Sequence, residues 1–344
     1  MTQNILITGG AGFIGSNLAD HLIQQGHKVT IFDNLSRSGC QTNIDYLQQK
    51  YGKGAFRLVT DNITNFDAIL KAAEGADRVY HLAGQVAVTT SVRDPRSDFY
   101  DNALGTFNAL EAARLAGNNP TFLYSSTNKV YGGMEDLKIV EKDTRYEYAD
   151  FPQGISEDRP LDFHSPYGCS KGAGDQYTHD YHRIYGLRTV VVRQSCIYGY
   201  RQFGIEDQGW VAWFIIAALK KLNIKIYGTG KQVRDILFIE DLISFYDHAI
   251  DNIDKTAGQI YNVGGGVENT ISIWMEFQPL LEKLLGRPIP VINCEWRPGD
   301  QLVYISNTQK AKDQVGWTPK VSVQEGIERL YKWIADNKPL FAHL

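Results

Sequence analysis

The segment Gly9-Gly10-Ala11-Gly12-Phe13-Ile14-Gly15 limits what this chain can fold into more than any other. It stands between an apolar run that reads as a strand, residues 4–8, and an amphipathic stretch, 13–25, that stops at Gly26. Glycine at positions 9, 12 and 15 lets the backbone turn tightly, approach a diphosphate within contact distance, and aim helix N-terminal N–H groups at its charge. The triplet alone is weak evidence, because a strand-to-helix turn with no ligand uses the same residues. Its context adds weight. Asp33 closes the next strand 18 residues after Gly15, where a carboxylate accepts hydrogen bonds from an adenosine ribose. A carboxylate repels a 2′-phosphate, so NAD is favoured over NADP. Arg37, in the same turn as Asn34 and Ser36, is nevertheless the residue type that would take that phosphate.

Short apolar runs then alternate with amphipathic stretches, the pattern of βαβ units. Strands are expected over 4–8, 28–33, 55–60, 77–82, 121–126, 188–194 and 259–263. Seven of them suit an α/β fold with a doubly wound parallel (Rossmann) sheet. From Ser195 the alternation weakens and Gly/Pro-punctuated segments such as 227–230 and 296–300 take over, with helices expected over 271–285 and 323–336. The expected division is a dinucleotide-binding domain over 1–194, joined by the late strand at 259–263 and its adjoining helix. A smaller mixed lobe over 195–344 is left for the substrate. A chain of 344 residues, 43% of them apolar, has ample core for both.

A net charge of −4 with no basic run argues against nucleic acid as the partner. Cys40, Cys169, Cys196 and Cys294 are scattered, suggesting neither a metal site nor a disulfide framework. No apolar run approaches the ~18 residues of a membrane span. The N-terminus carries no signal pattern, so the cytoplasm is the expected location.

The chemistry is carried by Thr127, Tyr167 and Lys171. A hydroxyl, a phenol and an ammonium one helical turn beyond the phenol make a proton relay suited to removing a proton from a sugar alcohol. The lysine charge is expected to draw the tyrosine pKa down toward working pH. By spacing alone, Tyr-x-x-x-Lys is also an ordinary exposed helix pair. Directly after Thr127, where elimination would need an acid and a base, stand Asn128 and Lys129. Residues 81–85, His-Leu-Ala-Gly-Gln, end another strand with small side chains against which a cofactor can lie, with His81 expected to be structural. Asn62 offers an amide to an adenine. The aromatic stretch Trp210-Val211-Ala212-Trp213-Phe214 reads as core rather than as a base platform.

Together, the glycine motif, Asp33, residues 81–84, Asn102, Thr127, Tyr167, Lys171, Arg234-Asp235 and Arg297-Pro298-Gly299-Asp300 resemble the extended short-chain dehydrogenase/reductase family of nucleotide-sugar enzymes. The resemblance covers nearly the whole chain. Longer strings at 126–132, 161–172, 201–203 and 207–210 are similar to the branch that inverts carbon 2 of a CDP-linked hexose. The resemblance implies an isomerase with NAD as cofactor, a transient 2-keto sugar, and a place in carbohydrate metabolism, specifically lipopolysaccharide biosynthesis. It further implies cofactor contacts from Phe13, Ile14, Ile63, Leu82, Ala83, Gly84, Gln85, Asn102, Ser125, Tyr167 and Lys171. Substrate contacts are implied for Gln85, Thr127, Asn128, Ser195, Arg201, Gln202, Gln208, Arg234, Arg297 and Asp300, with Arg234 and Arg297 as diphosphate clamps.

The substrate expected is a CDP- or GDP-hexose, and the assembly a homodimer or homotetramer pairing through 98–115 and 167–185. Asn62 and Asn307 stand where the family usually has Asp, and no role follows for Asn307. The relay itself does not select the carbon, so inversion at carbon 4 of a UDP-glucose-type substrate stays open. A 4,6-dehydratase would need Asp-Glu after Thr127, and a non-catalytic NAD-responsive protein would not need the relay.

Overall fold

The seven apolar runs assemble into one sheet, and a computed structural model describes them within residues 1–297 and 300–342. In space the strands run β3 (Phe56–Thr60), β2 (Lys28–Asp33), β1 (Asn4–Thr8), β4 (Arg78–His81), β5 (Thr121–Thr127), then Arg188–Gln194 and Gln259–Val263. The pairs from β3 through β5 are parallel. Parallel strands are covered on both faces, which is why β1 can be apolar at consecutive positions: Ile5, Leu6 and Ile7 are all buried. The crossovers between β1, β2, β3 and β4 are the helices Phe13–Gln24, Cys40–Tyr51 and Phe66–Ala73. The strand order reverses direction between β1 and β4, and sheets of this kind take their ligand where that reversal occurs, beyond the carboxyl ends of the strands.

The chain divides into two compact units. The first comprises Met1–Val130, Ser165–Arg193 and Tyr246–Tyr261, and the second comprises the intervening stretches and everything from Asn262 onward. Residues 131–164, grouped by sequence with the dinucleotide-binding region, therefore fall in the second unit. They lack the βα alternation and form instead an antiparallel hairpin, Ile139–Glu141 with Tyr146–Tyr148. Tyr146 and Tyr148 cluster with Val233 and Val303 of the same unit.

Three further differences from the sequence expectation have local causes. The helix expected over 271–285 is a strand, Thr270–Ser272, followed by a helix, Phe277–Leu285. The β-branched pair Thr270-Ile271 joins Val233–Phe238 in antiparallel register, and Ser272 and Glu276 then exchange backbone-to-side-chain hydrogen bonds at 2.8 and 2.9 Å that close the turn. The stretch 98–115 is not one α-helix: it is Pro95–Asp98, a π turn at Phe99–Leu104, and Gly105–Leu115. Strand limits moved by a residue or so at 55–60, 77–82 and 121–126.

In the second unit, Val233–Phe238 pairs with Thr270–Ser272, Val303–Tyr304 and Cys196–Tyr198, and Ile224–Tyr227 pairs in parallel with Val291–Cys294. The aromatic stretch is core: Phe214 is buried, its ring centroid 5.3 Å from that of Trp274 and 5.9 Å from that of Phe277. Asn307 accepts the Gln309 N–H at 2.9 Å at the start of the helix Gln309–Val315, a local turn role that the sequence alone did not suggest. Among the described residues no helix is long and apolar enough to cross a membrane.

Candidate active site

The carboxyl ends of β1, β2, β4 and β5 carry the glycine motif, Asp33, residues 82–85 and Ser125–Thr127. Gly9 has φ +68°, and a Cβ built on it would lie 2.7 Å from the backbone nitrogen of Ala83. A Cβ on Gly15 would lie 2.3 Å from the Gly9 carbonyl oxygen and 2.6 Å from Gly10 Cα. Both positions require glycine because backbone meets backbone there. Gly12 caps the helix Phe13–Gln24 without any side chain, and no acidic residue occupies its first turn, so its leading N–H groups present a ready anion site. Asp33 is buried and its carboxylate accepts from Ala11 N–H at 3.0 Å and Leu35 N–H at 2.8 Å, which fixes it at the end of β2. Burial raises its pKa while those two bonds oppose the shift. These residues fit a dinucleotide whose diphosphate meets the helix and whose ribose meets Asp33. Phe13 and Ile14 open the helix, and Asn34 turns the chain by accepting from Ser36 N–H and hydroxyl.

Four residues expected at the cofactor are already engaged with protein. The Asn62 side-chain oxygen, which was to meet an adenine, accepts from Thr64 N–H at 2.9 Å and from its hydroxyl at 2.8 Å. Ile63 belongs to the hydrophobic core, against Gly105. The Gln85 amide donates to Ala87 O at 2.8 Å and to Asp98 at 2.9 Å. Asn102 is fully buried, its amide nitrogen on Asp98 at 3.0 Å and Ser170 at 3.2 Å. His81 bridges Thr8 and Thr106 inside the sheet, and burial lowers its pKa to about 3.

Thr127, Tyr167 and Lys171 come together in the first unit. Thr127 ends β5; Tyr167 and Lys171 share a face of the helix Ser165–Tyr185, and all three are buried. Thr127 stands near enough to the Tyr167 phenol to favour its ionised form. Lys171 Nζ donates to the Ser125 carbonyl at 2.5 Å and lies 4.3 Å from the centroid of the Tyr124 ring. Asn128 is buried beside Thr127, its side-chain oxygen 3.4 Å from the threonine hydroxyl. Without bound ligand, burial dominates the tyrosine, pushing its pKa up to about 12 against the opposing effects of Thr127 and Arg37. The expected lowering joins the Lys171 charge to that of a bound, positive nicotinamide, so it concerns the NAD-bound enzyme and not this ligand-free value.

Burial lowers Lys171 itself to about 7, although Asp175 and Asp98 oppose the shift. A base whose folded pKa lies below its unfolded value of 10.5 penalises folding at low pH, and that penalty fades as pH rises from about 7 to 10.5. Lys171→Met should therefore be the more stable protein below about pH 7, by an amount on the order of a few kcal/mol. The gap should close with rising pH in urea titrations.

Two buried carboxylates behind the helix were not singled out from sequence. Asp175, one turn beyond Lys171, takes both Nε and Nη2 of Arg193 at 2.9 Å and the Ser126 hydroxyl at 2.7 Å. Its spacing of four from Lys171 was the available signal. Asp98 takes the Ser170 hydroxyl at 2.5 Å.

The expected substrate residues outside the first unit lie in the second. Arg234 donates to Asp300 at 2.7 Å and to its neighbour's carbonyl, Val233 O, at 2.8 Å; it makes no pair with Asp235. Asp235 is instead a fully buried acceptor for the Ser195 hydroxyl and for the N–H groups of Gly266 and Ser306. Arg297 lies 4.0 Å from the centroid of the Tyr227 ring and pairs with Asp207 at 3.3 Å. Arg201 and Gln202 are buried, Arg201 in the left-handed region at φ +62°. Gln202 donates to Ile197 O at 3.2 Å while its side-chain oxygen has no hydrogen-bond partner among the described residues. Gln208 N–H bonds to Ile205 O at 3.0 Å across a short turn. Pro298 and Gly299, part of the string around Asp300, lie outside the described residues.

A glycine cradle at the sheet's switch point, a ribose-ready carboxylate and a Thr-Tyr-Lys relay define an NAD-linked enzyme, and the comparisons agree. The model of the NAD dependent epimerase/dehydratase family matches residues 5–264, and the chain belongs to that family. It is 45% identical over 338 residues to the CDP-paratose 2-epimerase of Salmonella typhi, covering 96% of this chain and 99% of that one. It is 34% identical to the UDP-glucose 4-epimerase of Mycolicibacterium smegmatis, covering 96% and 98%. Among solved structures, the Bacillus cereus UDP-glucuronic acid 4-epimerase in complex with UDP-glucuronic acid and NAD superposes with a TM-score of 0.83 at 28% identity, over 97% of this chain and 99% of that one.

Proposed function

We propose that the protein interconverts the carbon 2 epimers of a CDP-linked hexose, with CDP-paratose and CDP-tyvelose the expected pair, through a transient 2-keto sugar. The observation that carries this reading is the 45% identity, over almost the full length of both chains, to a CDP-paratose 2-epimerase. Bound NAD supplies reversible uptake of the hydrogen on the sugar carbon. Tyr167, as the phenolate, takes the proton of the carbon 2 hydroxyl and, as the phenol so formed, later returns it, while Thr127 positions that hydroxyl. Lys171, when charged, stabilises the phenolate. With Asn128 and Lys129 after Thr127, no carboxyl pair stands ready for elimination.

Arg234 and Arg297 are assigned to the diphosphate, exchanging Asp300 and Asp207 for phosphate oxygens, which planar guanidinium groups bind in pairs. Arg201, Gln202, Gln208 and Asp300 are assigned to sugar and nucleotide hydroxyls. Lipopolysaccharide sugar metabolism in the cytoplasm is the setting that fits such a substrate. For assembly, the exposed Phe99, Tyr100, Phe107, Tyr177, Ile184 and Tyr185 of the first unit offer an apolar face suited to pairing two copies. The test is NMR of the products after incubation with CDP-paratose and, separately, UDP-glucose. Inversion at carbon 2 is expected, and conversion at carbon 4 alone overturns the assignment.

A further inference from the structure

Asp98 is a fully buried carboxylate whose hydrogen-bond donors are all neutral. It ends the helix Pro95–Asp98 where the chain widens into the π turn Phe99–Leu104, a type of irregularity that recurs at functional sites. Its oxygens accept from Ser170 Oγ at 2.5 Å, Asn102 Nδ2 at 3.0 Å and Gln85 Nε2 at 2.9 Å. Burial disfavours the ionised form of the carboxylate, and the charge that acts against this is that of Lys171.

The donors come from three separate parts of the unit. Ser170 lies between Tyr167 and Lys171 in the helix Ser165–Tyr185, and its hydroxyl is also 3.2 Å from the Tyr167 carbonyl oxygen. Gln85 ends the turn after β4 that carries Gly84, and Asn102 belongs to the π turn. A Cβ built on Gly84 would lie 2.4 Å from the Asn102 side-chain oxygen, so this turn and the π turn are packed without slack.

The titratable groups facing Asp98 are Tyr167 and Lys171 on the helix, Tyr124 on β5, and Asp101 on its own segment. Tyr167 further faces Arg37; Lys171 further faces Asp175, whose charge Arg193 matches, and His81. The Asp98 charge acts on the two relay residues in one direction, favouring the proton on each.

We propose that Asp98 is a positioning residue of the reaction: it ties the catalytic helix to the turn at 82–85 and fixes a negative charge behind Tyr167 and Lys171 that sets the pH range in which they work. This rests on Tyr167 being the base. In that scheme, with NAD bound and its positive nicotinamide bringing the phenol down from its ligand-free value, activity rises as Tyr167 loses its proton and falls as Lys171 loses its charge. Removing a nearby anion makes both losses easier, so both limbs of the profile move to lower pH.

The measurement is kcat/KM against pH with the CDP-hexose substrate for wild type, Asp98→Asn and Asp98→Glu. Asp98→Asn is expected to move both limbs to lower pH by roughly half to one unit. Asp98→Glu, which keeps the charge, should hold the limbs in place while kcat falls. Limbs that stay fixed in Asp98→Asn overturn the proposal and leave Asp98 a packing residue. If Asp98→Asn does not fold, the neutral replacement Asp98→Leu with Ser170→Ala removes charge and hydroxyl together and is read the same way. A Tyr167→Phe enzyme that keeps its turnover and its rising limb overturns the base assignment instead, so the two failures are distinguishable.

Discussion

Tyr167→Phe is expected to lower kcat by about a hundred- to ten-thousand-fold, the usual contribution of a positioned acid–base group, while NAD binding and the fold persist. The substitution keeps the buried ring and removes only the hydroxyl. Nothing else in the described first unit is placed to substitute: His81 is sealed between Thr8 and Thr106, and Lys171 is directed to the Ser125 carbonyl. Product NMR gives the rate, and titration with NAD shows whether the cradle survives. Unimpaired turnover would remove Tyr167 from the chemistry.

Arg193→Leu should destabilise the protein by about 3–5 kcal/mol, because it strands a carboxylate with a full charge in the interior. Asp175 is completely buried, and its remaining donors, the Ser126 hydroxyl and the Gln176 amide, are neutral. Removing both members should cost much less, so Arg193→Leu with Asp175→Leu is expected to recover most of the loss in urea unfolding. A single variant as stable as wild type would mean that the pair contributes nothing. The effect of the double variant should also reach the active site, since Asp175 supports the charge on Lys171 one turn away.

The sheet and the relay were legible in the sequence because their physics is local. Buried parallel strands read as short apolar runs, Gly9 and Gly15 are required by backbone approach, and a spacing of four puts Tyr167 and Lys171 on one helical face. What escaped was long-range pairing. Ser170 meets Asp98 across 72 positions, Arg234 meets Asp300 across 66, and Ser195 meets Asp235 across 40. A polar side chain beside a site looks the same in sequence whether it will face a ligand or bond to the protein. Gln85, Asn62 and Ser195 show this: each was read toward a ligand, and each bonds to protein in the fold. The hairpin at 139–148 and the strand at 270–272 escaped because three-residue strands carry too few positions for an alternating pattern.

The first unit is drawn from three separated stretches of chain, and its sheet is bordered by Gln259–Val263 beside Arg188–Gln194. On the ribosome, the strand at 188–194 emerges long before its outer neighbour, so its outer backbone edge is at first unpaired. An unpaired edge is a template for association with other nascent chains. Chaperone protection should therefore matter most while residues 195–258 are being made. A shortened version ending at 194, however convenient as a minimal NAD-binding fragment, would carry that exposed edge permanently.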